Sequence, residues 1–146
     1  MLGNGDRAFE SWQAVCPSTK EDQIYRYRCE PYVYAQMTAG RDAPTSGEAK
    51  NSFLTGTAAW SFVAVSQYIL GVAPSLTGLV VNPCIPRSWK GYSLTRRFRD
   101  RTYLIEVRNP DGRNKGAHLI VDGVPIEGNT IPLGLGGAVV SVVAVL

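Results

Sequence analysis

Residues 58–70, AAWSFVAVSQYIL, constrain the fold more than any other stretch of the chain. Wound as a helix, Ala58, Ala59, Trp60, Phe62, Val63, Val65, Ile69 and Leu70 leave almost no polar stripe for water. A helix apolar nearly all round must be enclosed by other helices, because a lone sheet covers only one side. Its limits are legible: Thr55-Gly56-Thr57 precede it, Gly71 suits the left-handed position after a helix, and Pro74 follows. The run is broken by Ser61, Ser66 and Gln67 and falls short of the ~20 residues that cross a membrane, so a core helix is expected and no membrane partner.

The first 75 residues hold one other clear helical pattern, GDRAFESWQAVCP, with Asp6 as cap, Phe9, Trp12 and Cys16 on one face, and Pro17 as the stop. Two helices cannot enclose residues 58–70. The Phe9/Trp12 stripe also starts almost at Met1 without an earlier partner, so further chain is expected ahead of it. Beyond Pro74 the pattern changes to short β-branched runs: LVVN, YSLTRRF, TYLIEVRN, HLIV, VPIEG and AVVSVVAVL. Asp122-Gly123 predicts a type I′ hairpin, Arg99 to Arg101 joins two alternating strands, and Asn109 to Gly112 forms a loop. The expectation is an α+β chain in two parts, a helical segment over 1–75 and an antiparallel β-sandwich over 76–146. Its last strand, apolar on both faces apart from Ser141, belongs at a sheet centre, and its end at Leu146 reads as a natural C-terminus.

Charge and cysteine usage exclude several classes of partner. Fifteen basic against 12 acidic residues give +3, too mild for a nucleic-acid surface, and the arginines of TRRFRDR fit the solvent face of a strand guarding a sheet edge. Cys16, Cys29 and Cys84 form no CxxC pair and no cluster with His118, so neither a disulfide framework, a metal nor a cofactor is expected. No secretory leader opens the sequence, which suits a reducing cytoplasmic setting.

Two places could carry chemistry. At the mouth of the helix, Thr55-Gly56-Thr57 offers hydroxyls, unpaired N–H groups and a residue without a side chain, a combination suited to phosphate; ordinary helix capping explains the same residues. In CEPYVYAQMTAGRDAPTSGEAKN, Glu30, Gln36, Arg41, Asp42, Glu48 and Lys50 lie among Tyr32 and Tyr34, as in a sugar pocket or equally in a long solvated loop.

The runs EPYVYAQM, GEAKNSFLTGTAAW, QYILGV, PCIPRSWKGY and TRRFR resemble the C-terminal part of the inverting disaccharide phosphorylases of glycoside hydrolase family 94, in a cellobiose phosphorylase-like form. The resemblance runs from about Arg7 to the end and is weakest after Asn109. It implies the last helices of an (α/α)6 barrel over 1–75, followed by the closing β domain over 76–146. It also implies cleavage of cellobiose or a related β-glucoside by inorganic phosphate, a co-substrate and not a cofactor, to α-glucose 1-phosphate and glucose. Gln36, Thr55 and Gly56 occupy the positions of the family's phosphate site, with homodimers as the common assembly. Phe53 stands where the family commonly has Trp, and Asp100 where it has Gly. The general-acid Asp and the phosphate-binding Arg and His of the family would precede Met1, in an upstream catalytic barrel, so no catalytic residue is assigned here and the chain alone is expected to be inactive. The rival expectation is a stand-alone β-sandwich over 76–146 that binds carbohydrate or protein without catalysis.

Overall fold

A computed structural model describes residues 3–113 and 116–146. They fall into two compact units, residues 10–64 and residues 1–9 together with 65–146. The fold is α+β, with short helices followed by β-sheets.

Helix α1 (Gly5–Val15) begins two residues earlier than a cap at Asp6 would place it. Asn4, not Asp6, caps it: Asn4 Oδ1 accepts the N–H of Arg7 at 3.1 Å. Asp6 turns instead to Arg87, accepting its backbone N–H at 2.9 Å with the guanidinium 3.7 Å away. Phe9 meets the edge of Trp89 with ring centroids 4.9 Å apart and 68° between planes, so this part of the stripe finds its partner later in the same chain.

In the unit of residues 10–64, Pro17 opens a 3-10 helix, Pro17–Gln23, which runs into α2 (Ile24–Tyr27). Arg28 closes α2 in the left-handed conformation (φ 58), its N–H bonded to Ile24 O at 2.8 Å. The supposed polar connection is ordered further. Strands β1 (Ala35–Thr38) and β2 (Ala49–Ser52) pair antiparallel with Ala35 opposite Ser52 and Met37 opposite Lys50. Arg26 Nε donates to Ser46 O at 2.8 Å, while Glu48 lies between Arg28 at 3.7 Å and Lys50 at 4.0 Å.

The apolar run of residues 58–70 forms two kinds of helix. Helix α3 (Thr57–Val63) is a normal α-helix, and Ala64–Ile69 widens into a π-helix in which Leu70 N–H reaches Val65 O at 2.8 Å. Gly71 ends it at φ 70, where a Cβ would collide with the Asn82 carbonyl. Among the described residues α3 is not enclosed: Trp60 is 74% and Phe62 62% exposed, and Phe53 and Leu54 are also exposed. The enclosure that its composition calls for is not supplied by the described residues.

In the other unit, β3 (Val72–Pro74), β4 (Gly78–Val81) and β9 (Thr130–Pro132) form a three-stranded antiparallel sheet in the order β3-β4-β9. Strands β5 (Gly91–Phe98), β6 (Arg101–Arg108), β7 (His118–Val121), β8 (Val124–Ile126) and β10 (Val139–Val145) form a second sheet in the order β5-β6-β10-β7-β8. This second sheet is mixed, which corrects the antiparallel expectation: β10 runs parallel to β6 from Val139 beside Thr102 to Val145 beside Arg108. The chain visits β9 in the first sheet before returning, and so re-enters at the end where β6 starts. As its two apolar faces suggest, β10 lies at the centre.

Period-two burial builds the core of this unit. Tyr103, Ile105 and Val107 of β6, Val140, Val142 and Ala144 of β10, and Leu119 and Val121 of β7 point inward, as do Leu79, Val81 and Ile131 of the smaller sheet. Asp122 (φ 48) and Gly123 (φ 83) both take the left-handed region that a type I′ turn requires. The arginines of residues 95–101 divide in two, correcting the view that all face solvent. Arg97 and Arg99 are exposed, whereas Arg96 is half-buried and Arg101 donates to the carbonyls of Leu135, at 2.6 Å, and Gly136.

A donor-rich cleft on the β1 strand as candidate functional site

Strand β1 and Tyr34 just before it bring Tyr34, Gln36 and Thr38, along with Ala35 and Met37, to one cleft. Together with Lys20, Tyr27 and Thr57 they line a cleft of about 350 Å³ within residues 10–64. Of the residues expected to bind phosphate, Gln36 is on the cleft wall, whereas Thr55 and Gly56 are not among its lining residues and Thr57, which follows Gly56, is. Thr55 reaches the cleft only through Thr57, their hydroxyls 2.6 Å apart, and Thr55 Oγ1 also accepts the Thr57 N–H at 3.0 Å. That last bond is a local hydroxyl turn ahead of α3, whose N-cap residue, Gly56, has no side-chain cap bond. Gly56 sits at φ −77, ψ −2, a conformation open to any residue, and a Cβ there would meet only Trp60 Cδ1 at 3.6 Å.

Gln36 is oriented by its hairpin partner. Asn51 Nδ2 donates to Gln36 Oε1 at 2.8 Å, which occupies the acceptor end of the amide and leaves Gln36 Nε2 as its outward donor. Two phenols, Tyr27 and Tyr34, line the cleft beside Ala14, Val15, Ala35 and Met37. Tyr34 OH lies 3.7 Å from the buried Cys16 thiol, and burial, reinforced by Cys16, holds the phenol above its ordinary pKa against a hydrogen bond with Ser61. Tyr27 is raised likewise, by burial first and by Cys29 second. Among the described lining residues there is no carboxylate. The arrangement can therefore offer donors to an anion and hydroxyls to a sugar, but supplies no group of carboxylic-acid strength for proton transfer.

The remaining residues of the aromatic-polar segment go elsewhere. Tyr32 is exposed, Arg41 and Asp42 lie in an exposed turn, and Glu48 and Lys50 pair with each other. Sequence reasoning missed Lys20, Tyr27 and Asn51. Lys20 lies in the mixed-charge run STKED, which looks like any solvated helix face. Asn51 could have been suspected only from the hairpin register that faces it to Gln36. Among the described residues no three His, Cys, Asp or Glu side chains gather as metal ligands, and no helix is long and apolar enough to cross a membrane. Cys16, Cys29 and Cys84 form no disulfide, and His118 is exposed on β7.

This α+β chain, with its amide-and-hydroxyl cleft, is similar to carbohydrate-active families: residues 1–71 match the Glycosyl hydrolase 94 superfamily, catalytic domain, and residues 76–113 match the Glycosyl hydrolase family 65, C-terminal domain. The chain belongs to the glycosyl hydrolase 94 superfamily. It is 46% identical over 132 residues to a protein of Vibrio proteolyticus named N,N'-diacetylchitobiose phosphorylase, covering 90% of this chain and 16% of that one. A Vibrio furnissii protein of the same name is 41% identical over 135 residues, covering 91% and 17%. A solabiose phosphorylase of Paenibacillus borealis is 36% identical over 134 residues, again covering 91% and 17%. The chain thus spans 16–17% of the length of these disaccharide phosphorylases.

Proposed function

We propose that these residues form the C-terminal portion of an inverting disaccharide phosphorylase and supply part of its phosphate site, through Gln36, Thr55 and Gly56. The observation that carries this reading is the shared cleft wall of Gln36 and Thr57, rich in donors and without a carboxylate among its described residues. Phosphorolysis needs no second catalytic carboxylate, because phosphate is the nucleophile. A phosphate oxygen bonds to the anomeric carbon from the face opposite the leaving sugar. The glycosidic C–O bond breaks, and a carboxylic acid from outside these residues protonates the departing oxygen. Inversion at a β-linkage gives an α-sugar 1-phosphate. Holding phosphate in place removes much of the entropic cost of attack.

In this reading residues 1–75 complete a helical barrel that covers Trp60 and Phe62, residues 76–146 close the chain, and the assembled enzyme works in the cytoplasm as a homodimer without a cofactor. The β-linked disaccharide is N,N'-diacetylchitobiose or cellobiose. The names of the relatives at 46% and 41% identity favour the first, and the motif likeness the second. The test is phosphorolysis by the longer polypeptide containing these residues, with each disaccharide and with NMR of the phosphorylated sugar. An α-anomer made from phosphate supports the reading, while no sugar 1-phosphate from any β-linked disaccharide, or a β-anomer, sinks it. In the same enzyme Thr55→Val raises the phosphate KM about tenfold, the worth of a lost hydrogen bond to a charged group, with little change for disaccharide.

A second reading is carbohydrate binding by the β unit alone. A cleft of about 590 Å³ there is lined by Asn82, His118, Glu127 and Asn129. Saturable oligosaccharide binding by residues 76–146 would favour it.

A further inference from the structure

We infer that Lys20 supplies the positive charge of the β1 cleft and makes it a site for a phosphate group, free or carried on a sugar. This rests on the phosphorylase reading above and extends it to a residue that the sequence motifs do not mark. Lys20 belongs to the 3-10 helix that follows Pro17 and lines the cleft with Gln36 and Thr57. It is half-buried, while its acidic neighbours Glu21 and Asp22 are exposed. None of the ion pairs among the described residues involves it.

A lysine on the cleft wall that takes part in none of the ion pairs among the described residues is available to an anion bound there. The rest of the wall selects for an anion. Gln36 turns its Nε2 outward because Asn51 holds its oxygen, Thr57 adds a hydroxyl, and no carboxylate lines the cleft among the described residues to compete. Phosphate at neutral pH is a small tetrahedral anion of charge between one and two, and a lysine answers it as a point charge while amide and hydroxyl donors fix its orientation.

The test is NMR titration of the isotopically labelled 146-residue chain with inorganic phosphate, and separately with α-glucose 1-phosphate, at constant ionic strength. Saturable shifts of the Gln36 side-chain amide and the Thr57 amide are expected. Lys20→Met raises the Kd about tenfold, and Lys20→Arg keeps it within about threefold, because the charge survives. A response to phosphate alone marks the site as one for the free ion, and a response to both as one for the phosphate group of the product. Equal affinity in wild type and Lys20→Met, or unmoved Gln36 and Thr57 signals with both ligands, overturns the assignment. The Arg variant guards against mistaking lost folding for lost binding. Phosphate binding that depends on Lys20, in a longer protein that splits no disaccharide, would instead remove the proposed reaction and leave the anion site standing.

Discussion

Asn51 holds Gln36 from across a hairpin, its Nδ2 donating to Gln36 Oε1 at 2.8 Å from a backbone in the left-handed region at φ 57. Asparagine is suited to both tasks, since it tolerates that backbone and carries a donor. Aspartate tolerates the backbone but cannot donate when ionised. In Asn51→Asp the Gln36 amide must turn, pairing its Nε2 with the new carboxylate and presenting its oxygen to the cleft. The phosphate KM of the longer enzyme is expected to rise about tenfold, with kcat at saturating phosphate within about twofold. An unchanged KM would take Gln36 out of the phosphate site.

Gly56 separates ligand contact from local structure. Its φ of −77 is ordinary, and a Cβ would stand 3.6 Å from Trp60, normal van der Waals contact. Gly56→Ala should change the unfolding free energy of the chain by no more than about 0.5 kcal/mol, since neither strain nor a lost bond is involved. If phosphate approaches the backbone here, the same variant weakens phosphate binding several-fold without changing the denaturant midpoint. A large drop in that midpoint would mean that the glycine is structural after all.

The sequence marks elements best where a single local rule decides them. The strands from Tyr92 to Arg108, the Asp122-Gly123 turn and the stop at Gly71 follow from alternation or from backbone sterics, and the structure has all of them. Elements settled by remote partners were illegible. The parallel pairing of β10 with β6 depends on the route through β9 in another sheet, and β1 with β2 read as loop because their residues, AQMT and AKNS, have little β-propensity. Asp6 looked like a cap until Arg87, distant in sequence, claimed its carboxylate. In the cleft, the threonines are legible because hydroxyls and a glycine at a helix mouth suit an anion as well as a cap, and Gln36 is legible only through the family resemblance of its motif. Lys20 is not, because one lysine in a mixed-charge run carries no signal of where it points.

Asn109 is the most demanding polar group of the β unit. It is fully buried, its Nδ2 donates to Trp89 O and Arg113 O, each at 2.9 Å, and its Oδ1 accepts the Arg113 N–H at 2.7 Å. Asn109→Asp keeps the shape, removes both donors and sets a carboxylate against two carbonyl oxygens. A loss of about 3 kcal/mol is expected at pH 7, from unsatisfied buried carbonyls and the cost of a buried charge, easing as the pH falls and the acid is protonated. Urea unfolding at pH 7 and pH 4.5 checks both statements. Equal destabilisation at the two values would mean that the charge is not what costs.

Tyr92 gives the β unit an alkaline limit. Its hydroxyl donates to the carbonyl of Leu70 just before the Gly71 stop, and burial pushes its phenol far above the ordinary 10.0. Below pH 10 both folded and unfolded chains keep the proton, so the contribution to stability is whole. As the pH rises past 10 the unfolded chain releases a proton that the folded chain retains, so unfolding becomes progressively easier until the folded phenol also ionises. Tyr92→Phe removes the titrating group along with one hydrogen bond. It should cost about 1 kcal/mol at pH 7 and show a shallower fall in stability between pH 10 and 11.5 than the wild type, which the partly raised Tyr27 and Tyr34 still share. Denaturant midpoints of the two proteins across that range measure the difference. Parallel curves would mean that the Tyr92 phenol titrates as in water and that its bond to Leu70 is not held in solution.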